Sequence, residues 1–573
     1  MNGIRRQTSR STVEAGTEPP VPTSHALGER RASEMLVREL SKGLGSLSTL
    51  DVDAEGAAAG KEDEEEELDV DALLLQDLEG MQAHISKVYA SVFKLFTTHC
   101  QPNYLTPWQQ QQQFTSIGTG FCFDKANRRF LTNAHCVEDA VVVQVLKRGD
   151  TKKYFCKVLL IADACDLALL TVESDAFWTD VPALPLSADL CRLQDTVSVL
   201  GYPVGGSNIS LTQGVVSRLD LTDISQSFGT QSLLTVQIDA AINAGNSGGP
   251  VLNARMEVVG VTFQGMAKQE AEGTGYIIPV PVVKRFLDDF ERHGAWTGFT
   301  SLHVECQALE NEDLRRMHGM GEEQTGIVIR AVAPETHVAE ALEVDDVLLS
   351  VEGQQVGNDG SVSFLDGERI QVTHLLSDKF RGDILKVEVL REGEVLSLSF
   401  PLENSALLVP PKPATLSYCV VAGLVFLPLS MELLNMRYMI KRFGDMSVPS
   451  ALKGLEQWCR FKGEEVVVLT NILRHEANTG YEVEEVVRVS KVNGTTVRNL
   501  AHLAVLVEEG GKEEEGDGKE EKWCVFEFDG LKDKIVLASS RIARTTAEVC
   551  EQNKIPQAQC LGGEVGKEVG ATR

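Results

Sequence analysis

The chain has no long apolar run of the kind that crosses a membrane. No stretch reaches the roughly 18–20 consecutive apolar residues that a spanning helix needs. Its nearest approach, Leu416–Met431, contains polar and turn residues and stops at Glu432, so we interpret it as buried strands. The N-terminus also lacks the apolar core of a secretory signal. We therefore expect neither a transmembrane segment nor secretion.

Closely spaced cysteines and positive charge are scarce as well. The twelve cysteines form no C-x-x-C pair and no zinc-type array, so we expect no metal site and a reduced, intracellular chain. The sequence has 83 Asp and Glu residues against 54 Lys and Arg, a net charge of −29. Because such a chain repels phosphate groups, we expect no nucleic-acid partner.

A chain of 573 residues has room for three or four domains. Residues 1–84 are predicted to be a disordered or targeting segment with an acidic run at Glu62–Glu67. The basic start, Met1–Val13, is weakly typical of a transit peptide, but acidic residues follow it at once. The compartment stays open between an organelle (chloroplast or mitochondrion) and the nucleus or cytosol. The apolar spacing over Asp71–Leu95 predicts a short helix.

Residues 85–298 show short β-branched runs separated by turns, with no helix-length gaps between them. This pattern predicts antiparallel barrels or sandwiches. A helical stretch, Pro281–His293, closes the segment. The predicted strands are Gly120–Phe123, Val141–Leu146, Tyr154–Ile161, Leu167–Val172, Thr196–Leu200, Gly214–Leu219, Leu233–Ile238 and Val258–Phe263.

The stretch Asn243–Pro250 places a serine, Ser247, among glycines. Glycines allow positive φ angles and a close approach of the backbone to a ligand. The N–H groups of the predicted oxyanion hole, formed by Gly245, Asn246 and Ser247, could then receive the charge that develops when Ser247 attacks a carbonyl. For a lone G-x-S-G, a glycine-rich turn between two strands is the simpler interpretation.

Two further motifs supply the partners that a nucleophilic serine needs. His135 ends an apolar strand, and Asp166 stands just before a buried one. The order His, Asp, Ser, with separations of 31 and 81 residues, matches the chymotrypsin-like triad. His135 would take the proton of Ser247, and Asp166 would orient the imidazole. Asp163 is the rival for the orienting role.

Five motifs in this segment resemble the HtrA/Deg (Do-like) serine proteases, and more closely their plant-type branch. The resemblance runs from about residue 88 to about residue 545. The motifs are Gly118–Phe121, Thr132–His135, Asp166–Leu170, Gly201–Gly205 and Gly245–Pro250.

The resemblance implies a mainly β protein with two six-stranded barrels at residues 85–298 and the site in the cleft between them. It implies a serine endopeptidase that needs neither metal nor organic cofactor and degrades unfolded or damaged proteins in protein quality control. It also implies homo-trimers or multiples of trimers. The alternative is a proteolytically latent holdase or scaffold that binds peptide C-termini. Cys136 departs from the branch, and we interpret it as a free, buried thiol that does not pair with Cys122.

Residues 299–403 resemble a Deg-type PDZ domain. There an extended peptide C-terminus would add a strand beside Gly326, Ile327, Val328 and Ile329, although a spacer with an occluded groove is an open alternative. Residues 404–413, with Pro410–Pro413, are predicted to be a stiff linker. Residues 414–547 resemble a diverged second PDZ domain interrupted by an acidic loop, Glu508–Glu521. Residues 548–573 are predicted to be a disordered tail.

Overall fold

The computed structural model describes residues 85–223, 232–263, 274–404, 407–413, 415–441, 455, 457–483, 485–511, 521–530 and 532–562. The predicted segment 1–84 and most of the predicted acidic loop therefore lie outside the described residues. The chain divides into two compact units, Met1–Val88 and Tyr89–Arg573, and the architecture below is that of the second. No helix in the described part is both long and apolar enough to span a membrane.

The first sheet is antiparallel and has seven strands, in the order β5-β4-β1-β2-β3-β7-β6. It has one strand more than predicted, because Cys156 divides the expected strand Tyr154–Ile161 into β5 and β6. Within the described part of the predicted helix Asp71–Leu95, residues 85–90 are helical as predicted, whereas Val92–Leu95 forms strand. The strands are β1 Val92–His99, β2 Phe114–Asp124, β3 Arg129–Thr132, β4 Ala140–Leu146, β5 Lys153–Phe155, β6 Lys157–Ala162 and β7 Leu167–Thr171.

Aromatic rings fill the core of this sheet. Phe177, on the short helix α1 (Asp175–Trp178), makes edge-on contacts with Phe93, Tyr154 and Trp178. Fully buried phenylalanines contribute much of the hydrophobic stabilisation of a domain and prefer this edge-to-face geometry.

The second sheet closes into a six-stranded barrel with the order β10-β13-β12-β11-β8-β9. Helix α2 (Val280–His293) follows the barrel and ends at Gly294, whose positive φ of 68° suits a glycine C-cap. The prediction of a mainly β protease fold is confirmed. The strands are β8 Thr196–Gly201, β9 Ser210–Asp223, β10 Ser232–Ile238, β11 Pro250–Leu252, β12 Val258–Phe263 and β13 Gly275–Pro279.

The next sheet spans residues 304–401, in the order β14-β15-β16-β20-β21, with β17 paired to β16. A two-stranded sheet, β18-β19, accompanies it. The helices are α3 Glu312–Met317 and α4 His337–Ala341. The strands are β14 Val304–Ala308, β15 Ile327–Val332, β16 Val347–Val351, β17 Gln354–Gln355, β18 Ser361–Ser363, β19 Arg369–Gln371, β20 Ile384–Arg391 and β21 Glu394–Pro401.

The predicted peptide-binding strand Gly326–Ile329 is wrong for this topology. Strand β15 pairs with β14 on one side and with β16 on the other. The backbone groups of Ile327, Val328 and Ile329 are therefore used within the sheet, and no peptide strand can be added beside them. Gly326 lies just before β15, and its N–H donates to the Asn358 side chain at 3.1 Å. Within the described part of this sheet, the end strands are β14 and β21.

The last sheet has eight strands and runs to Cys560, so the prediction of a disordered tail from residue 548 is wrong up to that point. Helix α7 continues to Gln552, and β29 pairs with β22. The helices are α5 Met431–Lys441, α6 Leu500–Gly511 and α7 Ser539–Gln552. The strands are β22 Tyr418–Val421, β23 Leu424–Pro428, β24 Val467–Ile472, β25 Val487–Val492, β26 Thr495–Thr496, β27 Trp523–Phe528, β28 Ile535–Ala538 and β29 Gln559–Cys560.

This last domain packs directly against loops of the first sheet. The Tyr104 hydroxyl donates to Glu432 at 2.6 Å, and the Trp108 ring contacts that of Tyr418. Lys412 donates to Glu138 at 2.7 Å. The predicted linker 404–413 therefore takes part in a contact between two domains.

Candidate active site

His135 and Asp166 form a two-point hydrogen-bonded pair. The His135 backbone N–H donates to one Asp166 oxygen at 2.9 Å, and ring Nδ1 lies 2.8 Å from the other. An ionised carboxylate only accepts hydrogen bonds, so Nδ1 carries the proton. The opposite ring nitrogen, Nε2, is then a hydrogen-bond acceptor in the neutral imidazole. This is the tautomer that a general base needs.

The backbone around Asp166 explains how its side chain reaches the histidine. A 3₁₀ turn over Asp163–Cys165 ends at Asp166, which adopts a left-handed conformation with φ 51° and donates its N–H to Asp163. The buried Asn133 side chain donates to the Asp166 carbonyl at 2.9 Å. Asp163, the rival, instead opens the turn with an exposed side chain. The structure therefore pairs His135 with Asp166.

Burial and two neighbouring side chains act on the pKa of His135. Burial disfavours the charged imidazolium, but the adjacent Asp166 carboxylate, with a smaller contribution from Cys136, outweighs burial and raises the pKa above its usual value. The carboxylate therefore makes the imidazole a stronger base than a free histidine side chain.

Ser247 lies in a tight turn pressed against the first sheet. Its carbonyl accepts from the Thr119 N–H at 2.9 Å and lies 3.7 Å from the Cys136 sulfur. Gly248 has φ +83°, and a Cβ there would lie 2.2 Å from the Thr119 carbonyl oxygen. Only glycine therefore permits this approach. The turn brings Ser247 beside Cys136, the residue that follows His135.

The Asn243–Asn246 turn has the geometry of a type II turn. The Asn246 N–H donates to the Asn243 carbonyl at 2.9 Å, and Gly245 has φ +98°. The prediction that Asn246 belongs to the oxyanion hole is therefore wrong, because its N–H closes the turn. Among the described residues, the N–H groups of Gly245 and Ser247 have no acceptor. These two donors stay available for an oxyanion.

The Ser247 hydroxyl and the His135 ring make no hydrogen bond to one another within the described residues. Such nucleophile–base contacts are often long without substrate and shorten in the Michaelis complex. Ser247 is 4% exposed, so the turn holds it in place while the histidine ring is more open to solvent.

All twelve cysteines are free, and Cys122 and Cys136 are both buried. Burial raises the pKa of the Cys122 thiol to about 12. In the part of the chain described, no three His, Cys, Asp or Glu side chains meet as ligands for a metal ion.

The sequence motif Gly118–Phe121 contains a site residue that sequence reasoning did not single out. Thr119 is fully buried, and its hydroxyl donates to the Gly245 carbonyl at 2.6 Å and accepts from the Tyr202 N–H at 2.9 Å. A hydroxyl between two glycines on a buried strand was the available signal. Only the fold shows which groups it contacts.

The two β units with this site define a chymotrypsin-like serine protease followed by PDZ-like domains. The family model described as trypsin-like peptidase domain matches residues 118–261, and the one described as PDZ domain matches residues 411–561. These matches agree with the geometry described above.

Protease Do-like 2, chloroplastic, of Arabidopsis thaliana is 40% identical over 481 residues, covering 83% of this chain and 75% of the relative. Protease Do-like 4, mitochondrial, of the same plant is 35% identical over 471 residues, covering 82% and 84%. The solved HtrA-type protease AlgW with decapeptide is 24% identical, with TM-score 0.43 and coverage of 56% and 98%. The chain belongs to the Do-like (HtrA/Deg) family of serine proteases.

Proposed function

We propose that His135, Asp166 and Ser247 are the catalytic triad of a serine endopeptidase. Ser247 Oγ attacks the scissile carbonyl while His135 Nε2 takes its proton and then passes it to the leaving amine. Asp166 holds the imidazole and stabilises the imidazolium. Water, activated by the same histidine, then releases the acyl group from Ser247.

The observation that carries this proposal is the His135–Asp166 pair, with its Nδ1 contact of 2.8 Å. It fixes the tautomer that leaves Nε2 free as the base. The N–H groups of Gly245 and Ser247 supply the second requirement. Removing one such donor in a serine protease lowers kcat by about 10²–10³.

A fluorophosphonate probe tests the assignment in the full chain. We expect covalent labelling of the wild type at Ser247, with loss of labelling in Ser247→Ala at unchanged thermal stability. Casein cleavage should fall in parallel. Labelling at a different serine, or an active Ser247→Ala variant, would reject the triad.

The substrates that we propose are unfolded or damaged proteins, cleaved without ATP in protein quality control, as the family resemblance implies. The relatives are named as proteases, which favours this function over the holdase alternative. We also propose an organelle location, since those relatives are named chloroplastic and mitochondrial, and a homo-trimer or multiple of trimers. Imaging of the full chain with a C-terminal tag and light scattering of the purified protein test these two proposals.

We propose further that peptide C-termini bind the first PDZ domain along β14 rather than β15. Strand β14 (Val304–Ala308) pairs with β15 on one side only, and Glu305–Ala308 is exposed. An edge strand of this kind presents a row of backbone donors and acceptors to an incoming peptide.

Hydrogen exchange in the Ser247→Ala chain tests the choice of edge. A peptide ending in apolar residues should slow exchange over residues 304–308. The opposite edge of the same sheet, β21 (Glu394–Pro401), serves as the matched control and should not change. Protection confined to β21 would contradict the proposal.

A further inference from the structure

Within the Asn243–Asn246 turn, the orientation of the Ala244–Gly245 peptide bond decides whether an oxyanion hole exists. Its N–H belongs to Gly245, and its carbonyl accepts from the Val204 N–H at 2.7 Å. With the carbonyl held there, the Gly245 N–H points to the opposite side. A type I turn would rotate this same peptide and remove the donor. The hole therefore depends on the loop that carries Val204.

That loop, residues 202–206, is held from the first sheet at its beginning. The Thr119 hydroxyl accepts from the Tyr202 N–H at 2.9 Å and donates to the Gly245 carbonyl at 2.6 Å. The Thr119 backbone N–H donates to the Ser247 carbonyl at 2.9 Å. One fully buried side chain thus joins the loop to the turn.

The far end of the loop is held by a buried lysine. Lys94 lies directly opposite Thr119 on β1 and is only 7% exposed. Its ammonium donates to the Gly206 carbonyl at 2.7 Å and lies 5.9 Å from the centre of the Tyr202 ring. A lysine is rarely buried unless it is paired, and this one is paired with the loop.

We propose that Lys94 and Thr119 are positioning residues that hold loop 202–206, and through Val204 hold the Ala244–Gly245 peptide in the orientation that presents an oxyanion donor. This inference rests on the proposed function of the turn. Lys94 and Thr119 are a cross-strand pair on β1 and β2 of the first sheet, whereas the oxyanion hole lies in the second barrel. The proposal therefore gives the first sheet a part in holding the oxyanion hole.

Substitutions of Thr119 test the proposal with kcat, KM and the affinity for a peptide boronate. Thr119→Val keeps the shape but removes the hydroxyl, and we expect kcat to fall about 10–100-fold with KM within twofold. Boronate binding should weaken in parallel. Thr119→Ser should restore kcat to within about threefold, because it keeps the hydroxyl.

Lys94→Met should lower kcat about 3–30-fold and Lys94→Arg should recover part of it, because a guanidinium can still donate to a carbonyl. The matched controls are Lys157→Met and Thr171→Val, since Lys157 and Thr171 form another cross-strand Lys–Thr pair of the same sheet. The Thr171 hydroxyl also donates to a carbonyl, that of Arg128, at 2.7 Å. Both controls should keep wild-type kcat.

A second measurement separates this inference from the assignment of the triad. In the Ser247→Ala chain, where cleavage plays no part, amide exchange over residues 243–249 should speed up in Thr119→Val and Lys94→Met but not in the controls. Unchanged exchange and unchanged kcat in both would overturn the positioning role. A fall in kcat matched by Thr119→Ser, or by the controls, would overturn it too. If Thr119→Val does not fold, the comparison of Lys94→Met with Lys94→Arg tests the positioning role.

Discussion

At the scale of single residues, Asp166 controls the chemistry of His135. Its carboxylate holds ring Nδ1 and raises the pKa of the imidazole against the opposing effect of burial. The proposed mechanism needs His135 as a neutral base, so we expect activity to be lost as pH falls through the His135 pKa. The raised pKa places this acid limb at a higher pH than an ordinary histidine would.

Substituting Asp166→Asn should lower kcat on the order of 10⁴-fold, because the amide NH2 can donate to Nδ1 and so favours the unproductive tautomer. The acid limb of the pH–rate profile should also move to lower pH, since the charge that raised the His135 pKa is gone. Steady-state cleavage of a peptide across pH measures both. Asp163→Asn is the control, and a larger loss there would reject the pairing.

The same linkage has a sign for stability. A histidine whose pKa is raised in the folded state stabilises the fold fully below its unfolded pKa, near 6.5, and loses this contribution as pH rises through the folded value. The difference in unfolding free energy between the wild type and Asp166→Asn should therefore be largest at acidic pH, and it should shrink as pH rises through the folded pKa of His135.

At the scale of elements, the turn that carries Ser247 depends on glycine conformation. Gly245 has φ +98°, and a Cβ would lie 2.4 Å from the Tyr202 carbonyl oxygen. The turn can only form because both the φ angle and the space suit a residue with no side chain.

Gly245→Ala should abolish fluorophosphonate labelling, because the turn must move away from Tyr202. Gly149→Ala is the matched control: Gly149 has φ +73° with open space around its Cβ position. The control carries only the backbone strain, about 1–3 kcal/mol. Thermal melting and labelling separate the two, and equal labelling in both variants would contradict the steric argument.

Helix α2 joins the protease to the first PDZ domain through a buried charge cluster. Asp289 is fully buried and accepts from the Thr297 N–H at 2.6 Å, and its carboxylate lies 3.4 Å from Arg285. The Arg285 guanidinium lies 3.6 Å from the centre of the Phe380 ring.

Asp289→Ala should destabilise the chain by about 3–5 kcal/mol, because it leaves the Arg285 charge buried and unpaired. Chemical denaturation measures this loss. The exposed pair Arg128–Asp175 is the control, and Asp175→Ala should cost no more than about 1 kcal/mol. Equal losses of stability in Asp289→Ala and Asp175→Ala would show that burial of the Arg285–Asp289 pair does not add to its contribution.

At the scale of the whole molecule, the second PDZ-like domain is fastened to the protease. Tyr104 and Lys412 reach across to Glu432 and Glu138, with contacts of 2.6 and 2.7 Å. Glu138 stands three residues after His135. The docking surface therefore lies close in sequence to the proposed base.

Tyr104→Phe should weaken this docking by about 1.5–3 kcal/mol, the value of a hydrogen bond to a charged group. Faster amide exchange over residues 100–111 would report it. The same change at Tyr481, whose hydroxyl bonds to Val536 within the last domain, should leave that segment unaffected. Unchanged exchange in Tyr104→Phe would show that the hydroxyl does not contribute.

Much of this protein follows from the sequence alone. The turn with Ser247, the strand ends with His135 and Asp166, and the β-branched runs of the protease sheets are local features, because the φ preference of glycine and alternation along a strand act within a few residues. The family motifs have the same local character. The mainly β class and the family were therefore predictable.

Other features depend on contacts between residues far apart in the chain, and only the tertiary structure decided them. The interior position of β15, the use of the Asn246 N–H and the contacts of Thr119 depend on which strands become neighbours. Strand order and edges follow from packing over a hundred residues or more, and no local pattern records them. For that reason the sequence predicts the chemical groups of the site, whereas the fold determines what orients them.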